Sequence, residues 1–177
     1  MPYAVELFFD PASEKRIRAI WERLAAIGIT YLHEGDSRPH VSLAVCDSIA
    51  IEPTIHLLDR FAGSTAGFPV TFVSLGIFPG AEPVVFFSPK VTIPLLELHW
   101  AFLESFEPMA TNIWPNYSPS HWIPHCTLAA GCPPECFEEA LEICRAEALP
   151  FTAEIVEIGF VEFRPVKPLH SAVLCRS

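Results

Sequence analysis

A short phrase occurs twice, as RPHVSLA over residues 38–44 and as IPHCTLA over residues 123–129, and this repetition constrains the fold more than any other feature. His40 and His125 stand 85 positions apart. Gly76 in SLGIF and Gly159 in EIGF are 83 apart, and Val85 and Ser171, in two later apolar runs, are 86 apart. Three landmarks with nearly one spacing indicate an internal duplication. Two copies do not make a solenoid. They predict one domain over 1–177 built from two lobes, roughly 1–82 and 83–177, related by a pseudo-twofold axis. The expected class is α/β (α+β), with two mainly antiparallel sheets facing a central cleft and helices on the outer faces.

Local patterns support this order. Residues 3–9 (YAVELFF) form a short apolar and aromatic run, as a strand requires. Asp10 and Pro11 then open a helix whose Ile17, Ile20, Trp21, Leu24 and Ile27 share one face, and Gly28 closes it. Strands are expected at 39–45, 68–78 and 83–89, with a second helix at 52–63. The second half follows with a helix at 93–106, where His99 falls on the packed stripe, a strand at 124–129, a helix at 133–148 and strands at 150–163 and 170–176.

Composition narrows the function. The chain is 51% hydrophobic, enough for a substantial core, and its formal net charge is −10. That balance argues against holding a long phosphate backbone by charge. An anionic ligand must be small or met by local donors, for which Arg38, Lys90, Arg164, Lys167 and Arg176 are candidates. No stretch of about 18 apolar residues predicts a membrane span. Glu6 breaks the pattern of a secretory leader, so a cytoplasmic location and six reduced thiols are expected. Cys126, Cys132, Cys136 and Cys144 cluster, but their spacings lack two matched pairs, so small buried hydrophobes are expected and no metal. No cofactor is indicated, and a monomer is expected.

The repeated phrase carries the chemistry. In a strand, residues i and i+2 share a face, about 6.5–7 Å apart. His40 therefore points with Ser42, and His125 with Thr127, while Val41, Leu43, Cys126 and Leu128 point toward the helices. If the two strands meet, one cleft holds two imidazoles and two hydroxyls. Imidazole titrates near pH 6.5, so one can act as base while the other acts as acid. That suits a displacement at phosphorus in which one oxygen loses a proton as another gains one. The hydroxyls can donate to non-bridging phosphate oxygens. Softer candidates for stacking a base are Tyr3, Phe8, Trp122 and Phe160. His121 is a possible outer donor, and Tyr117 lies in a Pro- and aromatic-rich loop of the kind that can cover a site.

PHVSLA and PHCTLA, with AVELFF ahead of the first helix, resemble the signature of the two-histidine phosphoesterase superfamily, the 2′,5′-RNA ligase-like and cyclic phosphodiesterase group. The resemblance spans nearly the whole chain. It implies a bilobal fold, metal-independent chemistry on 2′,3′-cyclic or 2′–5′ phosphodiesters, His40 and His125 as catalytic residues, and Ser42 and Thr127 as phosphate donors. A small nucleotide or an RNA terminus is the substrate expected. A silent nucleotide- or RNA-end-binding module and a 2′–5′ ligase are the alternatives. Arg38 precedes the first motif and no basic residue immediately precedes the second, which sets the chain apart from basic relatives that work on RNA ends.

Overall fold

A computed structural model describes residues 1–176; Ser177, the last position of the expected domain, lies outside them. The elements run β1 (Tyr3–Phe9), α1 (Pro11–Ala25), α2 (Tyr31–Glu34), β2 (His40–Ile49), α3 (Ile51–Ser64), β3 (Phe68–Phe78) and β4 (Val84–Pro89). They continue with α4 (Ile93–Phe106), β5 (Ala110–Ile113), β6 (Cys126–Ala129), α5 (Phe137–Arg145), β7 (Phe151–Glu162) and β8 (Lys167–Val173). The class is α+β with antiparallel pairing, as expected.

The two expected sheets are joined into one. The strand order is β5-β2-β1-β7-β3-β4-β6, with β8 on β7. The joint is β7, which is twelve residues long. Its first part pairs with β3, its later part pairs with β8, and β1 lies along its other edge. Pairing therefore crosses the midpoint of the chain: β1 of the first half lies on β7 of the second. About its centre the order is palindromic, β2-β1-β7 against β6-β4-β3. In this order β4 occupies the place that β1 has on the other side. The spacing between Val85 and Ser171 thus matched β4 with β8, whereas the topology matches β4 with β1.

Local chemistry sets the elements. The Asp10 carboxylate accepts from the backbone N–H groups of Ala12 and Ser13, both at 3.0 Å, and so caps α1. Ile17, Ile20, Trp21 and Leu24 of that helix are buried. At about 1.5–3 kcal/mol for each fully buried large apolar side chain, this face outweighs the weak propensity of a short helix. α1 packs against β1 and β6, and α4 packs against β2. Helices of each half thereby support the motif strand of the other. The expected helix at 133–148 starts late: Pro134–Cys136 form a 3₁₀ turn, and α5 begins at Phe137. No helix among the described residues is long and apolar enough to cross a membrane.

Candidate active site

β2 starts at His40 and alternates as its parity requires: His40 and Ser42 are half-buried, and Val41 and Leu43 are buried. Thr127 of β6 is half-buried between buried Cys126 and Leu128. His125 stands one residue before that strand. His40, Ser42, His125 and Thr127 line a single cavity of about 190 Å³. One water needs about 10–15 Å³ on the same measure, so there is room for a phosphorus centre and its oxygens.

Both imidazoles are held in one tautomer by their own backbone. Nδ1–H of His40 donates to the Arg38 carbonyl at 2.6 Å, and Nδ1–H of His125 donates to the Ile123 carbonyl at 2.7 Å. A carbonyl can only accept, so the proton sits on Nδ1 of each. Nε2 of each is then the nitrogen free to take or give a proton.

The surroundings of the two rings differ. Nε2 of His40 lies 3.4 Å from Oε1 of Glu6, whose side chain is only 8% exposed. Burial pushes the Glu6 carboxyl up from its ordinary range, against the opposing pull of His40 and Arg38. His125 instead meets two aromatic rings, Phe78 at 4.9 Å and Phe86 at 5.2 Å between centroids. Burial pushes this imidazole below its ordinary range; the Ile123 carbonyl opposes the shift and His40 reinforces it. Two glycines make room for these neighbours. A Cβ on Gly76 would lie 2.3 Å from the Phe86 ring, and one on Gly159 would lie 2.9 Å from the Phe8 ring and 2.7 Å from the His170 carbonyl. The paired glycine landmarks therefore mark close approach.

The hydroxyl residues are fixed through their backbones. The indole N–H of Trp122 donates to the Ser42 carbonyl at 3.0 Å, and that of Trp21 donates to the Thr127 carbonyl at 3.2 Å. Each strand lacks a ladder partner on that side: β5 joins β2 only from Cys46 onward, and β6 is the edge of the sheet. An indole from the opposite half fills each gap. His99 adds a third brace. Its Nε2–H donates to the Leu43 carbonyl at 3.0 Å, and its ring stacks on Trp122 at 3.8 Å. Burial holds His99 down to about 4, so it is the packed helix histidine that the stripe predicts. Tyr117 lines the cavity and its hydroxyl contacts the Ser42 side chain; burial pushes it up to about 12, keeping it a neutral donor.

The softer candidates separate from the site. Trp122 is 7% exposed and braces the strand, so it does not offer a stacking face. Tyr3 packs with the helix-side core because it shares the parity of Val5 and Leu7, not of Glu6. Phe160 is fully buried. Phe8 is on the cleft side, but the Arg38 guanidinium covers its ring at 4.2 Å. Arg38 itself is held by Glu14 at 3.3 Å and Glu157 at 3.0 Å, and it does not line the cavity. His121 is exposed and bonded to the Ser118 and Ser120 hydroxyls. Lys90, Lys167 and Arg176 are exposed away from the cavity. Arg164 lies over Trp114 and Phe163, two rings of the cavity wall. Sequence reasoning missed Glu6, Trp114, Phe163 and Tyr31 as lining residues. An acid inside the apolar run YAVELFF was the one available signal for Glu6. Among the described residues no group of His, Cys, Asp and Glu side chains is arranged to hold a metal ion.

A palindromic sheet that presents two histidines and two hydroxyls to one cavity defines a two-histidine phosphoesterase, a class that acts on phosphodiester bonds. The model of the 2′-5′ RNA ligase superfamily matches residues 9–166, and the chain belongs to that superfamily. The fold is similar to the TT0787 protein of Thermus thermophilus (TM-score 0.61, 17% identity, 98% of each chain). It is also similar to apo LigT of E. coli (TM-score 0.58, 16% identity, 99% of this chain and 98% of that one). Usb1 of Kluyveromyces marxianus matches over 95% of this chain and 97% of its own (TM-score 0.51, 12% identity). No curated protein matches in sequence.

Proposed function

We propose that the protein hydrolyses 2′,3′-cyclic or 2′–5′ phosphodiester bonds in small nucleotides or at RNA ends, by general acid–base catalysis between His40 and His125. The observation that carries this reading is the convergence of two imidazoles, each locked as the Nδ1–H tautomer, on one cavity with two braced hydroxyls. A water attacks phosphorus and gives its proton to Nε2 of one histidine. The P–O bond to the ribose breaks, and Nε2 of the other histidine protonates the departing oxygen. Ser42 and Thr127 donate to the non-bridging oxygens. No lysine or arginine lines the cavity among the described residues. Two neutral donors and one imidazolium suit the single charge of a diester better than a doubly charged monoester. Crystal structures of E. coli LigT hold 3′-AMP, ATP or NADP⁺, which supports a nucleotide-sized ligand here too.

The net charge of the chain favours one direction of reaction. Ligation joins two RNA ends, and a chain of net charge −10 offers little to hold a second polynucleotide. Hydrolysis is therefore the favoured direction. The test is incubation with 2′,3′-cyclic nucleotides and 2′–5′ dinucleotides in the presence of chelator, with products identified. Conversion to monoesters is expected. Nucleotide binding without conversion would point to a silent module, and loss of turnover in chelator would reject the metal-independent mechanism.

A further inference from the structure

The two motif strands are alike in letters, and the cavity is not alike in chemistry. In the register of the sheet Glu6 lies between Ser42 and Gly159, and Phe86 lies between Thr127 and Gly76. Corresponding positions of the palindrome thus hold a carboxyl group on the His40 side and a phenyl ring on the His125 side. We propose, resting on the phosphodiesterase reading above, that Glu6 sets the direction of proton transfer: the Glu6–His40 pair stores the proton that goes to the leaving oxygen, and His125 takes the proton of the attacking water.

The argument is electrostatic. The Glu6 carboxyl lies 3.4 Å from Nε2 of His40, and burial favours its protonated form there. Whether that proton rests on oxygen or nitrogen, it lies beside Nε2 of His40. Among the described residues His125 has no carboxylate partner of this kind. Phe78 and Phe86 pack against its ring without offering a counter-charge, and burial favours the neutral imidazole. A neutral imidazole is the form a base needs. Other groups near the pair leave this contrast in place. Arg38, two residues before His40, pulls Glu6 toward its ionised form but is shared with Glu14 and Glu157, and burial of Glu6 outweighs it. Tyr117, across the cavity, is kept neutral by burial. Asp36 and His170 line an adjoining cavity that shares the Glu6 wall, and His170 is paired with Asp59 at 2.8 Å. Tyr31 and His125 are the remaining titratable side chains that line the cavity of the pair among the described residues.

The step balances. Water oxygen bonds to phosphorus and its proton moves to Nε2 of His125. The P–O bond to the leaving oxygen breaks with its electron pair on oxygen, which takes the proton held by the Glu6–His40 pair. One diester and one water give one monoester and one hydroxyl, and solvent returns the proton from His125 to the pair. A fixed donor side also fixes which way a substrate must lie, so a 2′,3′-cyclic nucleotide gives one monoester isomer.

The experiment uses leaving-group chemistry. A nucleoside 3′-(4-nitrophenyl) phosphodiester releases a phenolate that needs no protonation, so the loss of a general acid is masked while the loss of a base is not. His40→Ala should lose at least about 100-fold in kcat/KM on a 2′,3′-cyclic nucleotide and recover most of it on the nitrophenyl diester. His125→Ala should lose comparably on both. Glu6→Gln should move the alkaline limb of the wild-type pH profile down by about one pH unit or more and leave the acid limb in place. Recovery by His125→Ala instead of His40→Ala would reverse the assignment while leaving the diesterase reading intact. Recovery by both, by neither, or unmoved limbs in Glu6→Gln would overturn the role given to Glu6. A wild-type protein that turns over neither substrate would remove the diesterase reading, and this inference with it.

Discussion

Placing Glu6 among the apolar residues of β1 costs stability, because water is largely removed from a group that ionises near pH 4.5 in an unfolded chain. Its folded titration is raised, so the folded state keeps the proton over a range where the unfolded state has lost it. The stabilisation from the protonated form is full below about pH 4.5 and is lost as pH rises through the folded value. Glutamine imitates the protonated form at every pH. Thermal unfolding should therefore show Glu6→Gln equal to wild type at low pH. At neutral pH it should be more stable, by about 1.4 kcal/mol for each unit separating the folded and unfolded titrations. A gap that does not change with pH would contradict this. At this scale the sequence was legible where parity alone decides: His40 with Ser42, and His125 with Thr127. The partner of His40 was not legible, because it comes from a neighbouring strand whose register one strand does not reveal. Tyr3 failed for a related reason: its parity puts it on the helix side of the same strand that carries Glu6 to the cleft.

Strands at an open edge need something to hold them, and here two indoles do so. Trp21 of α1 reaches the Thr127 carbonyl and Trp122 reaches the Ser42 carbonyl, each bracing the motif of the other half. Replacing either by Phe keeps most of the packing and removes one donor to a carbonyl. Each change should cost about 1–3 kcal/mol in denaturant unfolding, since an acceptor is left unsatisfied. It should also lower kcat for the cyclic nucleotide more than it raises KM, because the hydroxyl is displaced by less than binding requires and more than reaction tolerates. A change in stability with unaltered kcat would show that the indoles only hold the strands. Strongly periodic helices and apolar runs were readable, and β1, β3 and α4 have the expected bounds. α2 and β5, four residues each, were not, since so few residues carry no period.

For the whole molecule, the strand order explains why two distant histidines meet. Apart from the short α2 and β5 and the last strand β8, each half runs β-α-β-α-β, and the first strand of each pairs with the third of the other, as β1 with β7 and β4 with β3. The motif strands β2 and β6 then lie outside β1 and β4, and the sheet brings them to one cavity. The repeated phrase in the sequence made the two motif strands legible. It did not show that strands of the two halves interleave, because either pairing leaves the same letters in the same order. The most direct test of the account is the pH dependence of kcat/KM for a 2′,3′-cyclic nucleotide, in chelator, for wild type and the single alanine variants. The account predicts a bell for wild type and a fall of at least about 100-fold in both His40→Ala and His125→Ala, with the fold retained. Near-wild-type turnover in either variant, or a profile with only one limb, would contradict it.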